Sequence, residues 1–144
     1  MKAITMILLT LFMTKSCNQS TKKDLEQTQI QYVANTRGFY QKITIQNREL
    51  FISKIRNEEG KGNATPISDA DWKELVTLFS KLDLEKINTY EAPSQKRFHD
   101  GAAMADVTIL YKDVEYKTKT FDHGTPPVEM AAFINKVVSL ENNQ

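Results

Sequence analysis

The chain has 144 residues, 40% of them hydrophobic and 26% charged, with 19 Lys plus Arg against 18 Asp plus Glu. That length fits one domain, and a formal net charge of +1 gives no field that would draw nucleic acid or an anionic lipid surface. A single Cys excludes an intramolecular disulfide, a Cys-rich zinc site and a CxxC redox pair.

The amino terminus reads as an address. Lys2 precedes the apolar run Ala3-Ile4-Thr5-Met6-Ile7-Leu8-Leu9-Thr10-Leu11-Phe12-Met13. As helix this run would cover roughly 16 Å of the ~30 Å of bilayer hydrocarbon, so it predicts the apolar region of a signal peptide over residues 1–16 rather than a membrane span. Thr14-Lys15-Ser16-Cys17 follows. It resembles the lipobox of bacterial lipoproteins, where a small residue precedes a Cys that is lipidated and becomes the new amino terminus. Thr14 stands where that family usually has Leu, and Lys15 adds an unusual charge. Lipid on Cys17 would also protect an exported, unpaired thiol from oxidation. The resemblance implies palmitate-type chains, each buried methylene contributing about 0.8 kcal/mol to membrane attachment.

Cleavage after Ser16 removes Lys2 and Lys15 and takes the formal charge from +1 to −1. Residues 17–29 are polar and predict a flexible tether. One globular domain is expected over 30–141, followed by a disordered tail at 142–144.

Within that domain, Tyr32 and Val33 suggest a strand before the Arg37-Gly38 break. Phe39 to Gln46 and Glu49 to Arg56 then alternate in hydropathy around Asn47-Arg48, with Phe39, Ile43 and Ile45 on one face and Lys42 and Thr44 on the other. Asn57 to Pro66 is a loop. Ser68 is placed to cap a helix that carries Asp69 and Asp71 in its first turn, and Trp72, Leu75, Val76, Phe79 and Leu82 recur at helical spacing.

A long connection over 83–102 turns once near Leu84-Glu85-Lys86. A second hairpin follows, in which Ala105, Val107, Ile109 and Tyr111 alternate with Asp106, Thr108 and Leu110, a Lys112-Asp113 turn intervenes, and the chain returns from Val114 to Phe121. Thr125 and Pro126 predict the start of a helix that buries Met130, Phe133, Ile134 and Val137. This pattern predicts an α+β fold in two layers. An antiparallel sheet of four to five strands would carry two helices on one face, in a twice-repeated ββα order.

Two similar tripeptides carry the candidate chemistry. His99-Asp100-Gly101 precedes the second hairpin and Asp122-His123-Gly124 follows it, so the hairpin's open end would bring both to one sheet edge, together with the chain's two histidines. Imidazoles and carboxylates in that arrangement suit a divalent metal or acid–base catalysis, but the spacing matches no strong metal motif. Turn chemistry accounts for the same residues more simply: Asp100 and Asp122 can accept backbone amides that a loop leaves unpaired. Arg97-Phe98 beside His99 adds groups that anchor interfaces, although Phe39 and Phe98 read first as core or loop plugs. No phosphate-binding glycine loop and no nucleophile elbow is present.

Ile67-Ser68-Asp69-Ala70-Asp71-Trp72, Lys96-Arg97-Phe98-His99-Asp100-Gly101-Ala102 and Phe121-Asp122-His123-Gly124-Thr125-Pro126-Pro127 together resemble a family of small lipoproteins and secreted domains of Bacteroidetes-type bacteria. That family carries no established activity, so the resemblance implies a location and a rough fold and transfers no catalytic residue. The expectation is a binding module anchored at the cell envelope by lipid on Cys17. It would use Arg97, His99, Asp100, Asp122 and His123 against an envelope protein or a small ligand, with no cofactor, no resident metal and no nucleic acid. The alternatives are a metal-dependent or acid–base enzyme on the same loops, and an inhibitor-like domain that presents its sheet to a secreted enzyme.

Overall fold

The structure, a computed structural model, describes residues 24–58 and 62–143. The expected signal segment 1–16 and Cys17 lie outside the described residues. Among the described residues there are seven strands: β1 (Gln29–Thr36), β2 (Phe39–Gln46), β3 (Glu49–Ser53), β4 (Thr65–Pro66), β5 (Met104–Tyr111), β6 (Val114–Lys117) and β7 (Phe121–Asp122). Among the described residues two longer α-helices accompany them, α1 (Asp69–Phe79) and α2 (Ala131–Ser139), and residues 24–26 are also helical. Every strand pairing is antiparallel, in the order β4-β3-β2-β1-β5-β6, with β7 also on β5.

The α+β class and the antiparallel sheet therefore stand, whereas the count of four to five strands and the repeated ββα order do not. Three physical details account for the difference. β1 is a full eight-residue strand at the centre of the sheet, but its alternation of Gln and Asn with apolar residues is a weak signal read alone. β4 is only two residues long and joins through Glu49 and Leu50. The return strand of the second hairpin breaks at Thr118, whose backbone N–H donates to the Val107 carbonyl and whose Oγ1 accepts from the Val107 N–H, both at 3.0 Å. The edge is thereby split into β6 and β7.

One face of the sheet is the core. Cross-strand rows Ile45–Ile30–Ile109 and Ile43–Tyr32–Val107 run across β2, β1 and β5, each member at most 1% exposed. Helix α1 lays Trp72, Leu75, Val76 and Phe79 on this face, and α2 lays Phe133, Ile134 and Val137 beside them. Each such buried side chain contributes roughly 1.5–3 kcal/mol. The helices are clasped at the rim by Lys136 of α2, whose Nζ lies 2.7 Å from Asp71 and 2.6 Å from Glu74. The Ser68 cap forms as expected, its Oγ accepting from the Asp71 N–H at 3.2 Å.

The β2–β3 and β5–β6 turns each take two left-handed residues, Asn47 (φ 52) with Arg48 (φ 62) and Lys112 (φ 50) with Asp113 (φ 63), the geometry that matches strand twist in a two-residue turn. The Arg48 side chain pairs with Asp69 at 2.5 Å and lies over the Trp72 ring at 5.6 Å.

Three boundaries shift. The packed body reaches back before Ile30, because Leu25, the leucine of the polar tether run, is 1% exposed in the core. The second α-helix begins at Ala131, not behind Thr125. Thr125 donates its N–H to Asp122, a single 3-10 turn spans Val128–Met130, and Met130 is the N-cap. Residues 142–143 of the expected tail belong to a 3-10 turn, Leu140–Asn143. Among the described residues, no helix is long and apolar enough to cross a membrane.

Candidate functional site

The pairing of β7 with β5 brings the two tripeptides to one edge. Met104 faces Asp122 in register, and the His123 N–H donates to the Ala103 carbonyl at 2.9 Å. What they build there is a buried clamp centred on Asp122, which is 1% exposed.

The Asp122 carboxylate collects four hydrogen bonds from the segment before the second hairpin. Ser94 Oγ and the Lys96 N–H, the latter at 2.8 Å, donate to Oδ2. The Arg97 N–H at 3.1 Å and Arg97 Nη1 at 3.0 Å donate to Oδ1. Two of these donors are backbone amides at the start of the 3-10 helix Lys96–His99, so the carboxylate acts as a cap supplied from a distant strand. Burial alone would raise the Asp122 pKa, but the hydrogen bonds from Ser94, Arg97 and Lys96 outweigh it and hold the group well below the ordinary carboxylate range. Arg97 is equally committed. Its side chain is 8% exposed, its Nη1 also donates to the Ser94 carbonyl at 2.7 Å, and its buried Nε has no partner among the described residues.

The clamp fixes what the turn presents. Phe98 is 61% exposed, with the Arg97 guanidinium 4.4 Å from its ring centroid. The expectation that Phe98 plugs the loop is thus overturned: Arg97 turns inward to Asp122 and Phe98 is left outside. His99 is exposed on the same turn, and Asp100 closes it in the left-handed conformation at φ 55.

His123 faces away from this turn, into the helix-side rim. Its Nδ1 lies 2.6 Å from the Tyr32 hydroxyl, and its ring packs 5.4 Å from Phe39 and 5.9 Å from Tyr32. Burial lowers the His123 pKa and the Lys54 charge adds to that, against an opposing pull from Glu141. Burial also pushes the Tyr32 phenol well above its usual value, with Asp106 adding to the shift. At neutral pH both groups are uncharged, and with Tyr32 as donor the imidazole proton sits on Nε2. Nearby, Glu141 accepts from both Gln41 and Lys54.

Of the five residues singled out in the sequence, Asp122 and Arg97 share one ion pair, His99 and Asp100 sit on the turn it organises, and His123 joins Tyr32 instead. Among the described residues, no group of three or more His, Cys, Asp or Glu is placed to hold a metal ion. Sequence reasoning missed Ser94 and Tyr32. A serine 28 residues from its carboxylate and a tyrosine 91 residues from its imidazole leave no local spacing to read. No protein-family model matches the chain, and the searches of curated proteins and of solved structures give no similar protein.

Proposed function

We propose that the protein is an exported, lipid-anchored binding module at the cell envelope, whose contact surface is the edge built on the Lys96–His99 turn. The observation that carries this reading is the buried Asp122 carboxylate, with four donors spent on holding a short turn whose most prominent side chain, Phe98, is 61% exposed. An aromatic anchor fixed before contact loses little conformational entropy on binding, which is how compact interface hot spots gain affinity. The same hydrogen bonds favour binding over acid–base chemistry on these loops. A carboxylate whose lone pairs are taken by Ser94, Lys96 and Arg97 has none left to accept a substrate proton. Export and anchoring are carried by the leader and Cys17, so the partner would be an envelope protein or a small ligand met outside the cytosol.

The test is site-specific photo-crosslinking in cells of the full-length protein with the probe at Phe98, and with the probe at Glu74 on the helix side as control. A discrete adduct from position 98 that is absent from position 74 supports the edge. Equal or no adducts from both refute it. Mass spectrometry of the mature amino terminus tests the anchor, for which an unmodified thiol at Cys17 is the refuting result.

A further inference from the structure

Helices cover one side of the sheet, and the other side holds a trough of mixed polar and apolar lining. A cavity of about 200 Å³ lies over β1, β2 and β3, lined by Gln31, Lys42, Thr44, Phe51 and Ser53 among others. A second, of about 280 Å³, continues toward the Asn47 and Lys112 turns. Gln29 and Gln46 line both cavities, so the two adjoin, and there the Gln29 amide donates to Gln46 at 3.5 Å.

The register explains why these side chains meet. Gln31, Thr44 and Phe51 stand in one cross-strand row and Val33, Lys42 and Ser53 in the next, all pointing opposite to the core rows. Several are half-buried with their hydrogen-bonding capacity unspent. Among the described residues, the side chains of Gln31, Thr44 and Lys42 have no hydrogen-bond or ion-pair partner, their backbones alone being paired in the sheet. Each amide offers two donors and an acceptor, and each hydroxyl offers both roles.

We infer that this trough is a binding site for a neutral, polyhydroxylated chain, an oligosaccharide, with one sugar ring on Phe51 and its hydroxyls on Gln31 and Thr44. Charge supports the class. Lys42 and Lys112 are balanced by Glu26, Glu58 and Asp113 along the two cavities, so no net positive field exists to select an anion. Shape supports a chain, because two adjoining cavities that share Gln29 and Gln46 suit a ligand longer than one ring. An extended peptide is the weaker fit, since strand addition needs a sheet edge, while this trough lies on a sheet face and sets the Phe51 ring, with Ile52 beside it, among the Gln31 amide and the Thr44 and Ser53 hydroxyls. The site is separate from the Lys96–His99 edge and does not depend on it.

The test is nuclear magnetic resonance titration of the ¹⁵N-labelled full chain in detergent with maltotetraose, cellotetraose and tetra-N-acetylchitotetraose, and with a tetragalacturonate as the anionic comparison. At least one neutral probe should give saturable shifts at the amides of Gln31, Thr44 and Phe51. Phe51→Ala should weaken that probe by about tenfold or more, and Gln31→Leu, which keeps the volume and removes the amide, should also weaken it. Phe98→Ala should leave it unchanged, which separates this site from the proposed edge. No saturation by any neutral probe up to about 10 mM, stronger binding of the anionic probe, or shifts confined to the Lys96–His99 turn would overturn the inference.

Discussion

Replacing Asp122 with Asn keeps the shape of the side chain and removes its charge. Asn can still accept at one oxygen, but its NH2 group then faces donors that the carboxylate satisfied, from Ser94 and Lys96 or from Arg97. The Arg97 guanidinium, 8% exposed, loses its counter-charge. Breaking one side of a buried ion pair costs roughly 3–5 kcal/mol, and the acceptor that Asn retains places this substitution near the lower end, about 3 kcal/mol. Against a total stability of about 5–15 kcal/mol, that is a large fraction. With a urea slope of roughly 1–3 kcal/mol/M, the midpoint of unfolding should fall by about 1–3 M at pH 7. Asp106→Asn is the control: its partner Lys117 lies 3.3 Å away with a side chain 55% exposed, so the loss should stay under about 1 kcal/mol. The double variant Asp122→Leu/Arg97→Met should recover much of the lost stability, because it removes both buried charges together. A cost below about 1 kcal/mol for Asp122→Asn would refute the clamp as the element that holds this edge.

Acid should act through the same carboxylate. Its folded-state pKa is depressed, so its contribution is complete above the ordinary carboxylate pKa of ~4 and is lost as pH falls below it; the acid limb of wild-type stability should be steeper than that of Asp122→Asn in urea unfolding across pH. His123 works in a higher window. Its folded pKa is also lowered, so stability present above the unfolded value of ~6.5 declines as pH falls through the folded one, and His123→Gln should flatten that slope; an imidazole resonance titrating at or above the free value would contradict the burial argument. Tyr32→Phe keeps the buried ring and deletes the hydroxyl bonded to His123, for an expected loss of about 1 kcal/mol by thermal or urea unfolding. Leu75→Ala, at a position 0% exposed between α1 and the sheet, should cost about 2–5 kcal/mol in the same measurements.

Periodicity in the sequence determined the buried faces of the long elements. The alternation through Ile43 and Ile45, the alternation through Val107 and Ile109, and the helical spacing of Trp72, Leu75, Val76 and Phe79 each carry their own burial pattern, because the side chain of a regular element repeats every two residues or every 3.6. The Ser68 cap was legible for the same local reason. Tertiary structure decided what depends on pairing across distance. The amide-rich β1 becomes the central strand only because β2 and β5 flank it, and β4 and β7 exist only as partners of other strands.

The candidate site divides along the same line. The tripeptides announced a shared edge, since a hairpin brings its ends together whatever else the chain does. The roles within that edge were set by long-range contacts. Asp122 reaches back to Ser94, Lys96 and Arg97, while His123, in the turn just past the end of β7, meets Tyr32. Strand β7 ends between them, so two neighbours in one tripeptide belong to two separate clusters, and only the packed structure selects the partner each one meets.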